Sequence, residues 1–206
     1  MYSTQNLGQF LFKLAVYYLA HGYYFYVLQE LPEGEDYEEI DRRIATKYQV
    51  TGSRMARLRV RASGKSAIRY LRWRRYALIL ACDGDRKHRF FQSEQWRDIR
   101  VNPLVVSRYS VGLAGGKPTV RLRPERFEVV AQQMERIALH RLAKVQSYFD
   151  RITPFGFKGL EEQKRQIARL VNKRRRRAGL PSIEISRQRQ SLTGKGLRSL
   201  HNIDNQ

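Results

Sequence analysis

The sequence predicts an α+β fold: an antiparallel sheet of about five strands packed with helices, long helices in the C-terminal half and a basic tail. Three observations carry this expectation. Leu7, Phe10, Leu11, Leu14, Tyr18 and Leu19 recur at helical spacing near the start of the chain. A longer stripe of the same period runs from Phe127 to Phe149. Between them lie short aromatic and β-branched runs, separated by turn residues.

The elements follow in order. The first helix is expected from Gln5 to Ala20, ended by His21-Gly22, and GYYFYVLQEL then reads as a strand stopped at Leu31-Pro32-Glu33-Gly34. Asp36 is placed to cap a helix from Tyr37 to Tyr48, with Glu38 and Glu39 in its favourable first turn. Thr51-Gly52-Ser53 opens a second helix that ends near Gly64, with Met55 and Leu58 facing the core. A strand, a tight turn at Trp73-Arg74-Arg75 and a second strand, YALILACD, come next.

Asp83-Gly84-Asp85 is a turn, and HRFF reads as the start of another strand. RYSVGL and PTVRLR flank Ala114-Gly115-Gly116-Lys117, a hairpin signal. Pro124 stands at a first helical position, and the stripe Phe127, Val130, Ala131, Met134, Ile137, Ala138, Leu142, Val145 and Phe149 predicts one long helix. Thr153-Pro154-Phe155-Gly156-Phe157 interrupts it. A last helix is expected from Gly159 to Ala178, with Ile167, Leu170 and Val171 on one face and Gly179 as its stop. Residues 1–180 are expected to form a single domain. The polar segment 181–206 reads as a flexible basic tail that orders on a partner.

The 206 residues include 40 Lys or Arg against 19 Asp or Glu, a formal charge of +21. An apolar share of 42% is ample for a core. Such a balance points to nucleic acid, an anionic membrane or an acidic protein as partner. A membrane span is not expected. Lys13 and His21 interrupt the N-terminal apolar stretch, and the uncharged run Leu14–Ala20 falls far short of the roughly 20 residues a span requires. There is no basic leader or cleavage site of the signal-peptide kind. The single cysteine, Cys82, excludes an intramolecular disulfide and suits a reducing, cytosolic location.

Charge is not spread evenly. From Arg42 to Cys82 there are twelve Lys or Arg residues and no acid. Immediately before this window, Glu30, Glu33, Glu35, Asp36, Glu38, Glu39 and Asp41 place seven acids within twelve residues. Helical spacing puts Arg54, Arg57 and Arg61 on one side of their helix, followed by Lys65. Arg69 alternates with Ile68 and Tyr70, while Arg72, Arg74 and Arg75 gather around Trp73. The planar arginine fork grips phosphate through two parallel hydrogen bonds and stacks on bases. Tyr70 and Trp73, interleaved with arginines, are the expected base contacts. A second concentration, Lys173, Arg174, Arg175, Arg176 and Arg177, exceeds what a helix dipole needs, and Arg187, Arg189, Lys195 and Arg198 extend it. The leading expectation is a DNA- or RNA-binding protein that needs no cofactor.

Two other classes compete. Asp83, Asp85, His88, Glu94 and Asp98 follow a buried strand, and strand-end carboxylates can hold Mg²⁺ in a nuclease or strand-processing enzyme of a mobile element. In that reading His88 serves as general base, and Lys87 or Arg89 steadies the attacked phosphate. The bland alternative is a surface turn whose acids pair with Arg86, Lys87, Arg89 and Arg97. His21 with Glu30 is a weaker pair, and His140 and His201 are isolated. Gly112-Leu113-Ala114-Gly115-Gly116-Lys117 lacks the ending of a phosphate loop and lies between strands. The third class is a structural subunit of a nucleoprotein assembly, in which the Glu30–Asp41 patch either meets the basic tail of another copy, giving self-association, or shields the domain from its own field.

Overall fold

The computed structural model describes residues 2–50 and 53–185. The tail cations Arg187, Arg189, Lys195 and Arg198, and the Thr51-Gly52 helix start, lie outside the described residues. The fold is α+β, with two antiparallel sheets of four and three strands in place of one sheet of about five. The chain forms two compact units. Among the described residues, one runs to Leu104 and includes Val111–Pro118; the other comprises Val105–Ser110 and residues 119–185.

In the first unit, Asn6 caps α1 (Leu7–Phe12) by accepting from the Gln9 amide at 2.9 Å. The helix continues without a break as a π-helical stretch, Lys13–Tyr18, and a 3₁₀ turn, Leu19–His21. Gly22, at φ 84°, ends it. Strands β1 (Phe25–Glu30), β2 (Ile68–Trp73), β3 (Tyr76–Ala81) and β4 (Arg97–Asp98) make a sheet of order β2-β3-β1-β4. Val27 and Tyr70 both lie opposite Ile79. The pleat sends alternate residues to opposite faces. Phe25, Val27, Ile68, Tyr70, Ala77, Ile79 and Ala81 meet Ala45 and Tyr48 on one face, while Trp73 meets Phe10 of α1 on the other.

Helix α2 (Tyr37–Lys47) begins where its cap predicts: Asp36 accepts from the Glu38 and Glu39 amides at 3.0 and 3.1 Å. Ser53 likewise caps α3 (Arg54–Ala62). The HRFF strand is corrected to a short helix, α4 (Arg89–Ser93). His88 Nδ1 accepts from the Phe90 amide, and Phe90 is buried against the Tyr48 ring, so capping and burial favour a helical turn. Gly84 is held by close approach: a Cβ there would stand 2.7 Å from the Ser66 nitrogen. That approach pins the turn after β3 against the segment leading into β2.

Strands β5 (Leu104–Val106), β6 (Tyr109–Ala114) and β7 (Lys117–Leu122) form the smaller sheet, with Gly115-Gly116 turning the β6–β7 hairpin. The single helix expected over 127–149 is two: α5 (Pro124–Ile137) and α6 (Leu142–Asp150). Their apolar residues share one core with α7 (Lys158–Arg177): Met134, Ile137, Val145, Phe149, Ile167 and Val171. Leu142, expected in the stripe, is exposed, and the backbone bends to keep the rest of the stripe on α7. Gly159 brings α7 against β7, since a Cβ there would lie 2.6 Å from the Val120 carbonyl oxygen. Gln163 then takes both the N–H and the C=O of Leu122. Leu170 is exposed, unlike its expected neighbours Ile167 and Val171. Past the helix, Ile183 is buried and exchanges two hydrogen bonds with the Asn172 side chain, so the first residues after Pro181 pack on α7.

Candidate nucleic-acid interface

Helix α3 has no buried residue. Met55 and Leu58, expected in the core, are 59% and 48% exposed. The helix rests instead on Ala56, Arg57 and Val60, which are partly covered. This rotation carries its arginines toward two tyrosines of the first helix and its exit. The rings of Tyr18 and Tyr23 meet edge-on, with centroids 6.0 Å apart. The Arg69 guanidinium lies over Tyr18 at 4.9 Å and that of Arg61 over Tyr23 at 5.8 Å. Both rings are buried beneath them.

Lys13 and Arg57 join this cluster electrostatically. Burial, and then the nearby Arg69 charge, hold the Lys13 ammonium below the ordinary lysine range. The same two causes lower Arg57. Burial raises Tyr18 and Tyr23 despite these cations, which keeps both phenols neutral. Among the described residues, Lys13, Arg61 and Arg69 form no ion pair. Lys13 and Tyr18 bound the π-helical stretch, whose wider turn is a feature often found at functional sites. Arg54 and Lys65 are exposed nearby in sequence.

The hairpin arginines have a different fate. Arg72 grips Asp41 through Nε and Nη2, at 2.7 and 3.0 Å, while Tyr70 donates to the same carboxylate at 2.7 Å. Burial and that hydrogen bond push the Tyr70 phenol far upward. Trp73 is buried, stacked on Tyr76 and tilted against Phe10. Tyr70 and Trp73 are therefore core residues rather than open stacking platforms, and Arg72 has no fork to offer a phosphate. Arg75 pairs with Glu30 and with Glu33, the latter at 2.9 Å. Arg74 is exposed, at φ 50°, with its guanidinium over the Trp73 ring. Three acids of the Glu30–Asp41 patch thus neutralise two arginines of the acid-free window.

The run 173–177 also divides. Arg175 is 1% exposed and donates to the carbonyls of Ala138, His140 and Pro181, bracing the bend between α5 and α6. Lys173, Arg174, Arg176 and Arg177 are exposed. Arg174 bonds the Glu135 carbonyl at 3.1 Å.

The members of the nuclease constellation are engaged with other partners, Asp83 and Asp98 sharing one. Glu94 pairs with Lys47 at 2.8 Å and accepts from the Tyr48 hydroxyl. Its burial, which would raise it, is outweighed by those two hydrogen bonds, which leave it below the usual carboxylate range. Asp83 and Asp98 pair with Arg100, and Asp85 accepts from the Lys87 amide within its turn. His88 is lowered by burial and occupied at its cap. Among the described residues, no three His, Cys, Asp or Glu side chains are grouped to hold a metal ion. Nor is any helix there long and apolar enough to cross a membrane. Comparison with protein-family models, characterised proteins and solved structures yields no match.

Lys13, Tyr18 and Tyr23 escaped sequence reasoning because their spacing marks them as part of a helix and its exit. Only the fold brings Arg69 over Tyr18 and Arg61 over Tyr23. Asp41 as the partner of Arg72 was equally hidden, since thirty-one positions separate the two.

Proposed function

We propose that this chain binds nucleic acid through the cationic face built from the π-helical stretch, α3 and the start of β2. One observation carries the reading. Arg61 and Arg69 lie stacked on two touching tyrosine rings, with Lys13 and Arg57 close by, and the three residues Lys13, Arg61 and Arg69 have no acid partner among the described residues. Crowded cations repel, and a polyanion relieves that cost by supplying the missing charge. Arg54 and Lys65 extend the face, and exposed Arg74 adds a further phosphate contact.

The guanidiniums pinned on Tyr18 and Tyr23 are pre-oriented, so less side-chain entropy is lost on contact. The rings beneath are covered, so this face grips phosphates rather than stacking bases. The buried, unpaired Cys82 fits a reducing cytosol as the place of action.

Fluorescence anisotropy against a labelled oligonucleotide tests the proposal. With about six to ten phosphate contacts, affinity falls about 10³–10⁵-fold between roughly 50 and 200 mM salt. The variant Arg61→Ala/Arg69→Ala lowers the salt slope by about two and weakens binding at least about tenfold. A flat salt response, or unchanged binding by the double variant, would overturn the interface. The exposed Met55 and Leu58 beside the same arginines favour a second reading, a subunit of a nucleoprotein assembly. Concentration-dependent self-association lost in Met55→Ser/Leu58→Ser would favour it over binding alone.

A further inference from the structure

We infer that the outer face of α7 enters the major groove of B-form duplex DNA, an assignment that rests on the nucleic-acid reading and narrows its substrate. After Glu162 the helix contains no acid as far as Arg177. Its inner arc, Ile167, Ala168, Val171 and Arg175, is buried. At about 100° per residue, Gln166, Lys173 and Arg177 fall within roughly 20° of one line on the opposite side, with Leu170 about 40° away. All four are exposed. Arg169 and Arg176 form one margin of this line and Arg174 the other, each exposed.

A central row of amide, ammonium and guanidinium donors with cations along both margins matches a groove whose floor offers acceptors and whose two walls are phosphates. Gln pairs with adenine, and Lys or Arg with guanine O6 and N7, while an apolar side chain meets the thymine methyl. From Gln166 to Arg177 the face spans about three turns, roughly 17 Å, on a rod about 10–12 Å across. The B-form major groove, about 12 Å wide, admits such a rod. The deep, narrow major groove of A-form RNA does not. Single strands are held largely by aromatic stacking, and α7 contains no aromatic residue. Arg174 and Arg176 are each tethered by one hydrogen bond to a backbone carbonyl, which leaves their remaining N–H groups free to meet phosphate.

The full chain is titrated with mixed-sequence duplex DNA, duplex RNA and single-stranded DNA. Duplex DNA is expected to bind at least about tenfold tighter than the other two. The variant Arg169→Ala/Lys173→Ala/Arg176→Ala, whose three sites are exposed, should keep the wild-type melting temperature. It should lose at least about tenfold on duplex DNA and less than about threefold on the single strand. Arg61→Ala/Arg69→Ala, in contrast, should weaken all three ligands alike. Equal wild-type affinity for duplex RNA or single-stranded DNA would overturn the assignment to α7, as would a triple variant that loses all three ligands in parallel. Absence of binding to any of the three would instead remove the nucleic-acid reading beneath it.

Discussion

Two groups of arginines from one acid-free stretch of sequence meet opposite environments. At the β2–β3 end, Arg72 is locked to Asp41 and Arg75 to Glu30 and Glu33. Eleven residues before Arg72, Arg61 lies on Tyr23, and three before it Arg69 lies on Tyr18; neither has an acid partner among the described residues. Strand alternation sorts them: Arg69 and Arg72 stand on opposite faces of β2, one toward the first helix and the other toward the acidic end of α2. A window without acids in sequence is thus partly neutralised in space. What remains after that cancellation is the informative charge.

The largest effect is expected at the neutralised end. Asp41→Ala strands a nearly buried Arg72 and removes the acceptor of Tyr70, so unfolding free energy in denaturant should drop by about 3–5 kcal/mol. Binding to nucleic acid measured well below the midpoint should change little, because Arg72 faces away from the proposed surface. A stronger effect on binding than on stability would erase the distinction between the two groups.

A smaller effect belongs to the crowded end. The folded-state pKa of Lys13 lies below its unfolded value of 10.5, so while protonated it opposes folding. In the alkaline range below 10.5 the unfolded chain holds more of that proton, and stability gains as pH rises through the folded value. The raised phenols of Tyr18, Tyr23 and Tyr70 lower the stability of both proteins toward the alkaline end. Thermal unfolding of wild type and Lys13→Met should therefore show wild type gaining relative to the variant across this range. Parallel profiles would mean that Lys13 is not crowded. Smallest of all is Arg75→Ala, at an exposed surface pair, for which no measurable shift in melting temperature is expected. A clear loss there would make the hairpin ion pairs structural and blur the contrast with Arg72.

Much of the fold was legible. The cap at Asp36, the Gly22 and Gly179 stops, the Gly115-Gly116 hairpin and the Pro124 start all depend on backbone needs local to a few residues. Misreadings arose where packing outweighed local preference. HRFF became helical because Phe90 is buried under Tyr48, and the stripe from Phe127 to Phe149 bends so that both halves cover α7. The candidate site was legible as a composition and not as a place. Arg57, Arg61 and Arg69 were foreseen, but Tyr70, Arg72, Trp73 and Arg175 were foreseen as surface groups and are interior ones. Nothing in the order of residues tells which arginine will meet a carboxylate.

By itself the sequence determined the α+β class, most helix and strand boundaries and the excess of positive charge, because propensity, capping and net charge are properties of neighbours or of sums. Only the tertiary structure decided which cations are spent within the fold and which face outward. Coulomb forces act across a few ångströms of space, and the distance from Arg72 to its partner Asp41, or between the like charges of Arg69 and Lys13, is set by the sheet and the helices on its two faces.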